Sequence, residues 1–270
     1  VEYDAMKICM AGACGRMGRR VLELASGAED MEISGAFDAP ENAGLELSFG
    51  GEPGKAGTVL VSGDAASALD GADVMIDFTL AHVCVDNVRA ATEQGIPSVI
   101  GTTGLSPEQQ DMLRGFAETV AIVHAPNMSV GVNLLFKLTG EVASILGLDY
   151  NVEITEIHHN QKKDSPSGTA VRLAERAAEG LGLEYGSDTA HGRQGMVGAR
   201  PVREIGMHAL RGGDVVGEHT VSFVGQGERI ELTHKAHNRD NFARGALLAA
   251  RFAVKAAPGL YDMQDVLGLK

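Results

Sequence analysis

Lys7-Ile8-Cys9-Met10-Ala11-Gly12-Ala13-Cys14-Gly15-Arg16-Met17-Gly18 is the stretch that decides the fold class. A short apolar run enters glycines spaced G-x-x-G-x-x-G, and a helical pattern follows with Met17, Val21, Leu24 and Ala25 on one side and Gly27 placed to end it. A strand that turns into a helix through such a segment presents backbone N–H groups with no Cβ in the way, as a dinucleotide's pyrophosphate requires. Gly12, Ala13, Cys14, Gly15, Arg16 and Met17 are therefore the candidate cofactor-binding residues, with Cys14 where the commoner fingerprint has its second glycine. Taken alone, the turn also fits a strand–helix connection that holds nothing. Its surroundings narrow the choice. Glu32–Phe37 reads as the next strand, and Asp38 at its end lies 20 residues past Gly18, where a carboxylate accepts hydrogen bonds from an adenosine ribose. That charge repels a 2′-phosphate and Ala39-Pro40 supply no cation, so NADH is expected in preference to NADPH, with Arg16 as a partial compensation for a phosphate.

Outward from the turn, strand-like runs at Thr58–Val61, Val74–Phe78, Ser98–Ile100 and Val120–Val123 continue the pattern. Helical patterns separate the later ones, at Ala81–Glu93 and from Ser106-Pro107-Glu108-Gln109, a capping box with proline at the first helical position. The alternation predicts an α/β domain with a parallel sheet covered on both faces. Ligands of such sheets bind beyond the carboxyl ends of strands. Gly101, Thr102 and Thr103 after one strand, and Ala125, Pro126, Asn127 and Met128 after another, would complete the cofactor crevice; ordinary βα turns are the alternative.

Composition sets the outer limits. The 270 residues carry a formal net charge of −13, which repels nucleic acid and anionic membranes on average. No stretch reads as a run of roughly 20 apolar residues suited to a membrane span, and Val1-Glu2-Tyr3-Asp4-Ala5 lacks the order of a signal peptide. Cys9, Cys14 and Cys84 form neither a disulfide framework nor a metal-ligand spacing, which fits a reducing, cytoplasmic location.

The second half changes character. Val152–Ile157 alternates as a strand and runs into His158-His159-Asn160-Gln161-Lys162-Lys163-Asp164, followed by Ser165–Thr169 and a helix to about Leu181. Val202–Leu210, Val215–Val224 and Arg229–Lys235 read as an antiparallel meander turning at Gly212-Gly213 and Gly225-Gln226-Gly227. Asn241–Ala257 reads as a closing helix that returns to the first domain. An imidazole can act as an acid near neutral pH, and an ammonium both attracts carboxylates and delivers protons. With the helix start at Gly168 and Thr169 as an anion site, the cluster suits a small substrate with two carboxylates. No metal site is expected, since the His pair has no third Cys or His at suitable spacing. The remaining seven of nine histidines, His234 included, read as structural, and Glu153 and Glu156 read as a polar strand face.

Taken together, these segments resemble the 4-hydroxy-tetrahydrodipicolinate reductases, the dihydrodipicolinate reductases of bacterial and plant lysine biosynthesis. The resemblance runs from about Met6 to Leu269. It rests on Ala11–Gly18, Ile76-Asp77-Phe78-Thr79, Ile100–Gly104, Ala125–Asn133, Glu156–His159, Lys162-x-Asp164-x-Pro166-Ser167-Gly168-Thr169-Ala170, Arg211-Gly212-Gly213 and Gly217-Glu218-His219. It implies a Rossmann-type domain (1–129 with 240–270) and an α+β substrate-binding and oligomerisation domain (130–239) with a mixed, largely antiparallel sheet. It further implies use of NADH or NADPH and homotetramers built by packing the second domain's sheets. His158 matches the family's catalytic histidine and Lys162 its proton-donating lysine; His159, Lys162, Gly168 and Thr169 match the groups that hold the substrate carboxylates. Asn160-Gln161 stand where some members have basic residues, and Ala39 where NADP-using members carry arginine. Two rivals fit less well. A semialdehyde dehydrogenase needs a nucleophilic thiolate at the domain junction, where Cys9 in a strand, Cys14 in the turn and Cys84 in a helix do not lie. A protein that senses NAD(H) without turning it over would not require the His158–Lys162 cluster.

Overall fold

In the computed structural model, which describes residues 5–50 and 56–270, the glycine turn links β1 (Met6–Ala11) to α1 (Arg16–Ser26), and Gly27 caps that helix. Val1–Asp4, and with them the reading of that end, lie outside the described residues. The first unit continues through β2 (Met31–Phe37), β3 (Glu46–Phe49), β4 (Gly57–Leu60), α2 (Ala65–Ala68), β5 (Val74–Asp77), α3 (Ala81–Glu93), β6 (Ser98–Ile100), α4 (Pro107–Phe116) and β7 (Ala121–His124). The Ser106 side chain accepts from the Gln109 N–H and the Gln109 side chain returns the bond, so α4 starts on the expected capping box.

The second unit holds α5 (Val130–Leu146), β8 (Asn151–His158), α6 (Gly168–Leu181), β9 (Thr189–His191), β10 (Ile205–Arg211), β11 (Gly217–Val224) and β12 (Arg229–Ala236). The chain then returns to the first unit as α7 (Asp240–Ala253), β13 (Gly259–Tyr261) and α8 (Met263–Val266). The units divide as Val1–Val130 with Arg239–Gly268, and Gly131–Asn238.

The first unit's main sheet is parallel throughout, in the order β13-β7-β6-β5-β1-β2. Val21, Leu22 and Ala25 of α1 pack on one face with the small residues of α7, and Cys84, Val85 and Val88 of α3 cover the other with Leu113 of α4. The run Thr58–Val61 is an exception to the sequence reading. It supplies β4, which pairs antiparallel with β3 in a separate hairpin, because the connection between them is too short for a crossover. A sixth parallel strand, β13, comes from the C-terminal segment instead.

The second unit's sheet is mixed, in the order β12-β11-β8-β10-β9. The meander reading requires correction here. β8 inserts between β10 and β11, parallel to the first and antiparallel to the second, so Gly212-Gly213 is no hairpin turn; only Gly225–Gly227 is. With β9 also parallel to β10, parallel and antiparallel neighbours are equal in number, and the sheet is less antiparallel than expected. Val152, Ile154, Ile205, Met207, Val221 and Phe223 form the buried face under α5 and α6.

The span Val130–Asp149, with mean hydropathy 1.3, is long and apolar enough to cross a membrane, contrary to the reading from sequence. Its length and apolarity have a simpler use, since Val132, Leu135, Phe136 and Ala143 pack into this core. Lys137 and Glu141 pair on its outer side.

Candidate active site

At the glycine turn the backbone leaves no room for side chains. Gly12 sits at φ +79°, and a Cβ there would lie 2.6 Å from the Phe78 carbonyl oxygen. One on Gly18 would lie 2.2 Å from the Gly12 carbonyl oxygen, so α1 packs on the turn only if Gly18 stays bare. Gly15 is the N-cap and brings no capping side chain, which leaves the first-turn N–H groups of α1 directed toward a ligand space rather than a neighbouring hydroxyl. Asp38 is tied to the turn: its carboxylate accepts from Cys14 N (2.8 Å), Ala39 N (2.8 Å) and Asn42 Nδ2 (2.9 Å). A cleft of about 560 Å³ opens here, lined by Gly12, Gly15, Asp38, Ala39, Phe78 and Thr79 among others. A bare turn, an uncapped helix start and a fixed carboxylate beside an open cleft fit a dinucleotide. Arg16 is exposed on the turn, and Met17 is half-buried behind it.

The neighbouring strand ends are organised by a buried carboxylate that the sequence reading placed in a motif but gave no site role. Asp77 at the end of β5 is fully buried and accepts from Thr79 N and Oγ1, Thr102 Oγ1 (2.6 Å) and Asn87 Nδ2 (2.8 Å). The Thr102 hydroxyl is consumed inward, while Thr103 beside it is exposed. Gly101 follows β6 against the Phe78 ring. Beyond β7, Ala125 and Met128 are buried, Pro126 is exposed, and Asn127 accepts from Ser129 N at 2.9 Å. Gly245 of α7 passes so close to Met128 that a Cβ would fall 1.7 Å from its carbonyl oxygen.

In the second unit, β8 ends at His158, and the following loop bonds to the 212–215 segment: Gly212 N to His158 O, His159 N to Val215 O, and Asn160 N to Gly213 O. His158 shares the inward face with Val152, Ile154 and Glu156, as the strand period requires. Glu156 is therefore no member of a polar face with Glu153: their parities differ, and Glu156 is 1% exposed. Its carboxylate accepts from Arg211 Nη1 and Nη2 (2.8 and 2.9 Å) and Ser167 N (3.1 Å), and meets His158 Nδ1 at 2.6 Å. Burial works to raise the Glu156 pKa, but Arg211, His158 and Ser167 override it and leave the group below its ordinary value. Burial lowers His158, only partly offset by Glu156. Glu153, on the other face, is held down to about 2 despite its burial by Arg193, His208 and Arg200.

Lys162 pairs with Asp164 at 2.9 Å, near enough to His158 for its charge to disfavour the imidazolium. Ser167 caps α6 by accepting from Ala170 N, and Gly168 and Thr169 open that helix. His159 is half-buried. The structure thus brings His158, Lys162 and the α6 start into one neighbourhood, as sequence predicted. It adds Glu156, Ser167, Arg211 and His219, the last stacked edge-on against His158 with centroids 5.1 Å apart and bonded to Ser167 Oγ at 3.0 Å. Burial drives His219 down to about 3, so it stays neutral across the physiological range. Strand parity was the available signal for Glu156, whose place among Val152, Ile154 and His158 marks an acid on an apolar face.

The cysteines speak against the thiol-based rival. Burial pushes Cys9 up to about 12 and raises Cys84, and burial with the Asp38 charge raises Cys14. None is prepared as a thiolate nucleophile.

A parallel-sheet unit with a glycine turn, joined in one chain to a mixed-sheet unit bearing a histidine–lysine cluster, defines a two-unit protein of the dinucleotide-dependent oxidoreductase class. Comparison with known proteins narrows the class: residues 6–128 match the family model described as dihydrodipicolinate reductase, N-terminus, and residues 131–267 the model for its C-terminus. The chain belongs to the dihydrodipicolinate reductase family. It is 49% identical over 98% of its length to all of a 4-hydroxy-tetrahydrodipicolinate reductase of Syntrophotalea carbinolica. It is 48% identical, at the same coverage, to all of its counterpart from Citrifermentans bemidjiense. A solved dipicolinate-bound dihydrodipicolinate reductase from Paenisporosarcina shares the fold, with TM-score 0.77 and 23% identity over 97% of this chain and 98% of that one. Aspartate semialdehyde dehydrogenase II from Vibrio cholerae shares it more distantly, at TM-score 0.53 and 12% identity over 93% of this chain and 99% of that one.

Proposed function

We propose that this chain reduces 4-hydroxy-tetrahydrodipicolinate to tetrahydrodipicolinate, with loss of water, in the diaminopimelate route of lysine biosynthesis. The observation that carries the reading is the His158–Lys162–Gly168 cluster in a chain that matches its family end to end. A reduced nicotinamide dinucleotide, held by its pyrophosphate at the Gly12–Gly18 turn, would supply the hydride. The turn residues Gly12, Ala13, Cys14, Gly15, Arg16 and Met17 hold the pyrophosphate, and Asp38 faces the adenosine ribose. Gly101, Thr102, Thr103, Ala125, Pro126, Asn127 and Met128 form the strand-end side of the cofactor site.

The second unit handles charge and protons. His159, Lys162 and the α6 start at Gly168 and Thr169 hold the two carboxylates and fix the ring's orientation. His158 and Lys162 supply protons: across the reaction one hydride and one proton enter and water leaves. Lys162 must exchange its Asp164 partner for a substrate carboxylate, an exchange of one anion for another.

The fixed Asp38 carboxylate supports a preference for NADH, since a 2′-phosphate would enter beside a charge already locked in place by three donors. A homotetramer is supported by the outer face of the second sheet. There Thr233, Thr220, Thr155 and His208 stand in one cross-strand row, with Thr155 and Thr233 exposed. Few, unpaired cysteines support a cytoplasmic location.

Loss of NADH absorbance with freshly generated substrate tests the reading, and the same assay with NADPH tests the preference. Substrate-dependent oxidation, with a lower KM for NADH, is expected; no oxidation with either cofactor overturns the assignment.

A further inference from the structure

We propose that Glu156 is the positioning residue of this site: its buried carboxylate holds His158 with Nδ1 protonated and Nε2 as the working nitrogen, and ties that histidine to the helix that opens the anion site. The inference rests on the reading of His158 as a proton donor and deepens it.

A carboxylate with this set of partners can only accept. Arg211 donates to both of its oxygens and Ser167 N to one, so Glu156 is ionised, and the nitrogen that meets it at 2.6 Å must carry the hydrogen. Nδ1 is therefore the N–H of the neutral ring, and Nε2 is the atom that gains and gives a proton. Space around Nε2 is kept by Gly217, where a Cβ would fall 2.9 Å from it.

The groups facing His158 come from four places: Glu156 on β8, Lys162 on the following loop, Arg211 on β10 and His219 on β11. Burial, Lys162 and Arg211 all disfavour the imidazolium; among these neighbours Glu156 alone favours it. Without that carboxylate the ring would be a weaker proton carrier and free to turn.

One further connection goes beyond tautomer choice. Glu156 Oε1 accepts from Ser167 N while Ser167 Oγ caps α6 and contacts His219, so one carboxylate sets the histidine and the start of the anion-holding helix in a common frame. A purely structural Glu156 would instead serve only to fasten Arg211 and β10 to β8.

The full-length Glu156→Gln variant separates these roles. A drop in kcat of about tenfold or more is expected, within the roughly 10²–10⁴-fold ascribed to the proton donor itself. Substrate KM should stay within about twofold, and the fall in kcat with rising pH should move to lower pH by about one unit, a tenfold change in the protonation equilibrium. Glu156→Asp, which keeps the charge, should recover part of the rate. In wild-type protein labelled with ¹⁵N-histidine, the His158 signals should show protonated Nδ1 and unprotonated Nε2, a measurement that stands even if the variants fold poorly. Wild-type kcat and pH profile in Glu156→Gln, or an unprotonated Nδ1, overturns the inference. His158→Gln keeps the two levels apart: normal turnover in that variant overturns the reading of His158 itself. If His158→Gln is impaired and Glu156→Gln is not, the positioning role alone falls.

Discussion

The glycine turn of the first unit and the β8 end of the second each lead into a helix start, the two anion sites of the proposed reaction, yet they shape it by opposite means. At the turn the work is done by what is missing. Gly12 and Gly18 approach carbonyl oxygens too closely for any Cβ, and Gly15 leaves α1 uncapped. At the β8 end it is done by side chains. Ser167 caps α6, Glu156 anchors Ser167 and His158, and Arg211 and His219 arrive from β10 and β11. A backbone cradle recognises a group common to many dinucleotides, whereas a side-chain network can choose a proton donor and orient a particular acid. The contrast matches the division of labour in the proposed reaction.

The largest effect should come from breaking the side-chain half. His158→Gln and Lys162→Met are each expected to lower turnover by roughly 10²–10⁴-fold while leaving NADH binding near wild type. Steady-state kinetics and a fluorescence titration of NADH check the two parts, and weakened cofactor binding in either variant would blur the proposed division.

Gly18→Ala attacks the other half. Its Cβ would fall 2.2 Å from the Gly12 carbonyl oxygen, so α1 must move off the turn. Overpacking of this kind costs about 1–3 kcal/mol. The Kd for NADH should rise about tenfold or more, since each 1.4 kcal/mol is tenfold. The ¹⁵N signals of His158 should not move.

A milder test uses pH. His219 titrates near 6.5 when unfolded but is held to about 3 when folded, by burial first. The unfolded chain therefore binds the extra proton between those values, and stability contributed by keeping His219 neutral is present above pH 6.5 and lost as pH falls toward 3. Between pH 7.5 and 5.0, above the range where carboxylates contribute, the denaturant midpoint should fall more in wild type than in His219→Gln. An equal fall in both would show that acid sensitivity does not arise at His219.

The smallest effect is a control in the first unit. Ser106→Ala removes the cap of α4 and should cost about 1 kcal/mol of stability with no change in kcat.

Where the determinants were contiguous, sequence reading was accurate. The β1–turn–α1 segment, the α4 capping box, α3 at Ala81–Glu93 and the end of β8 at His158 all depend on residues within a few positions of one another. The pairing of β8 between β10 and β11 does not. Gly212-Gly213 offers the same local signal whether it closes a hairpin or starts a connection across an inserted strand, and only the competition among strands for the sheet's centre decides between them. Thr58–Val61 likewise carries a strand pattern without saying which sheet receives it.

The candidate site divides on the same line. The sequence by itself determined the bare glycine turn, the acid at Asp38 and the contiguous His158–Lys162–Thr169 block, because backbone conformation and helix starts are properties of short segments. Tertiary structure alone decided that Glu156 lies beneath His158, that Arg211 and His219 close over it from neighbouring strands, and that Asp77 draws Thr102 inward. Charges far apart in the chain acquire a shared proton chemistry only when burial removes the water that would otherwise screen each from the others.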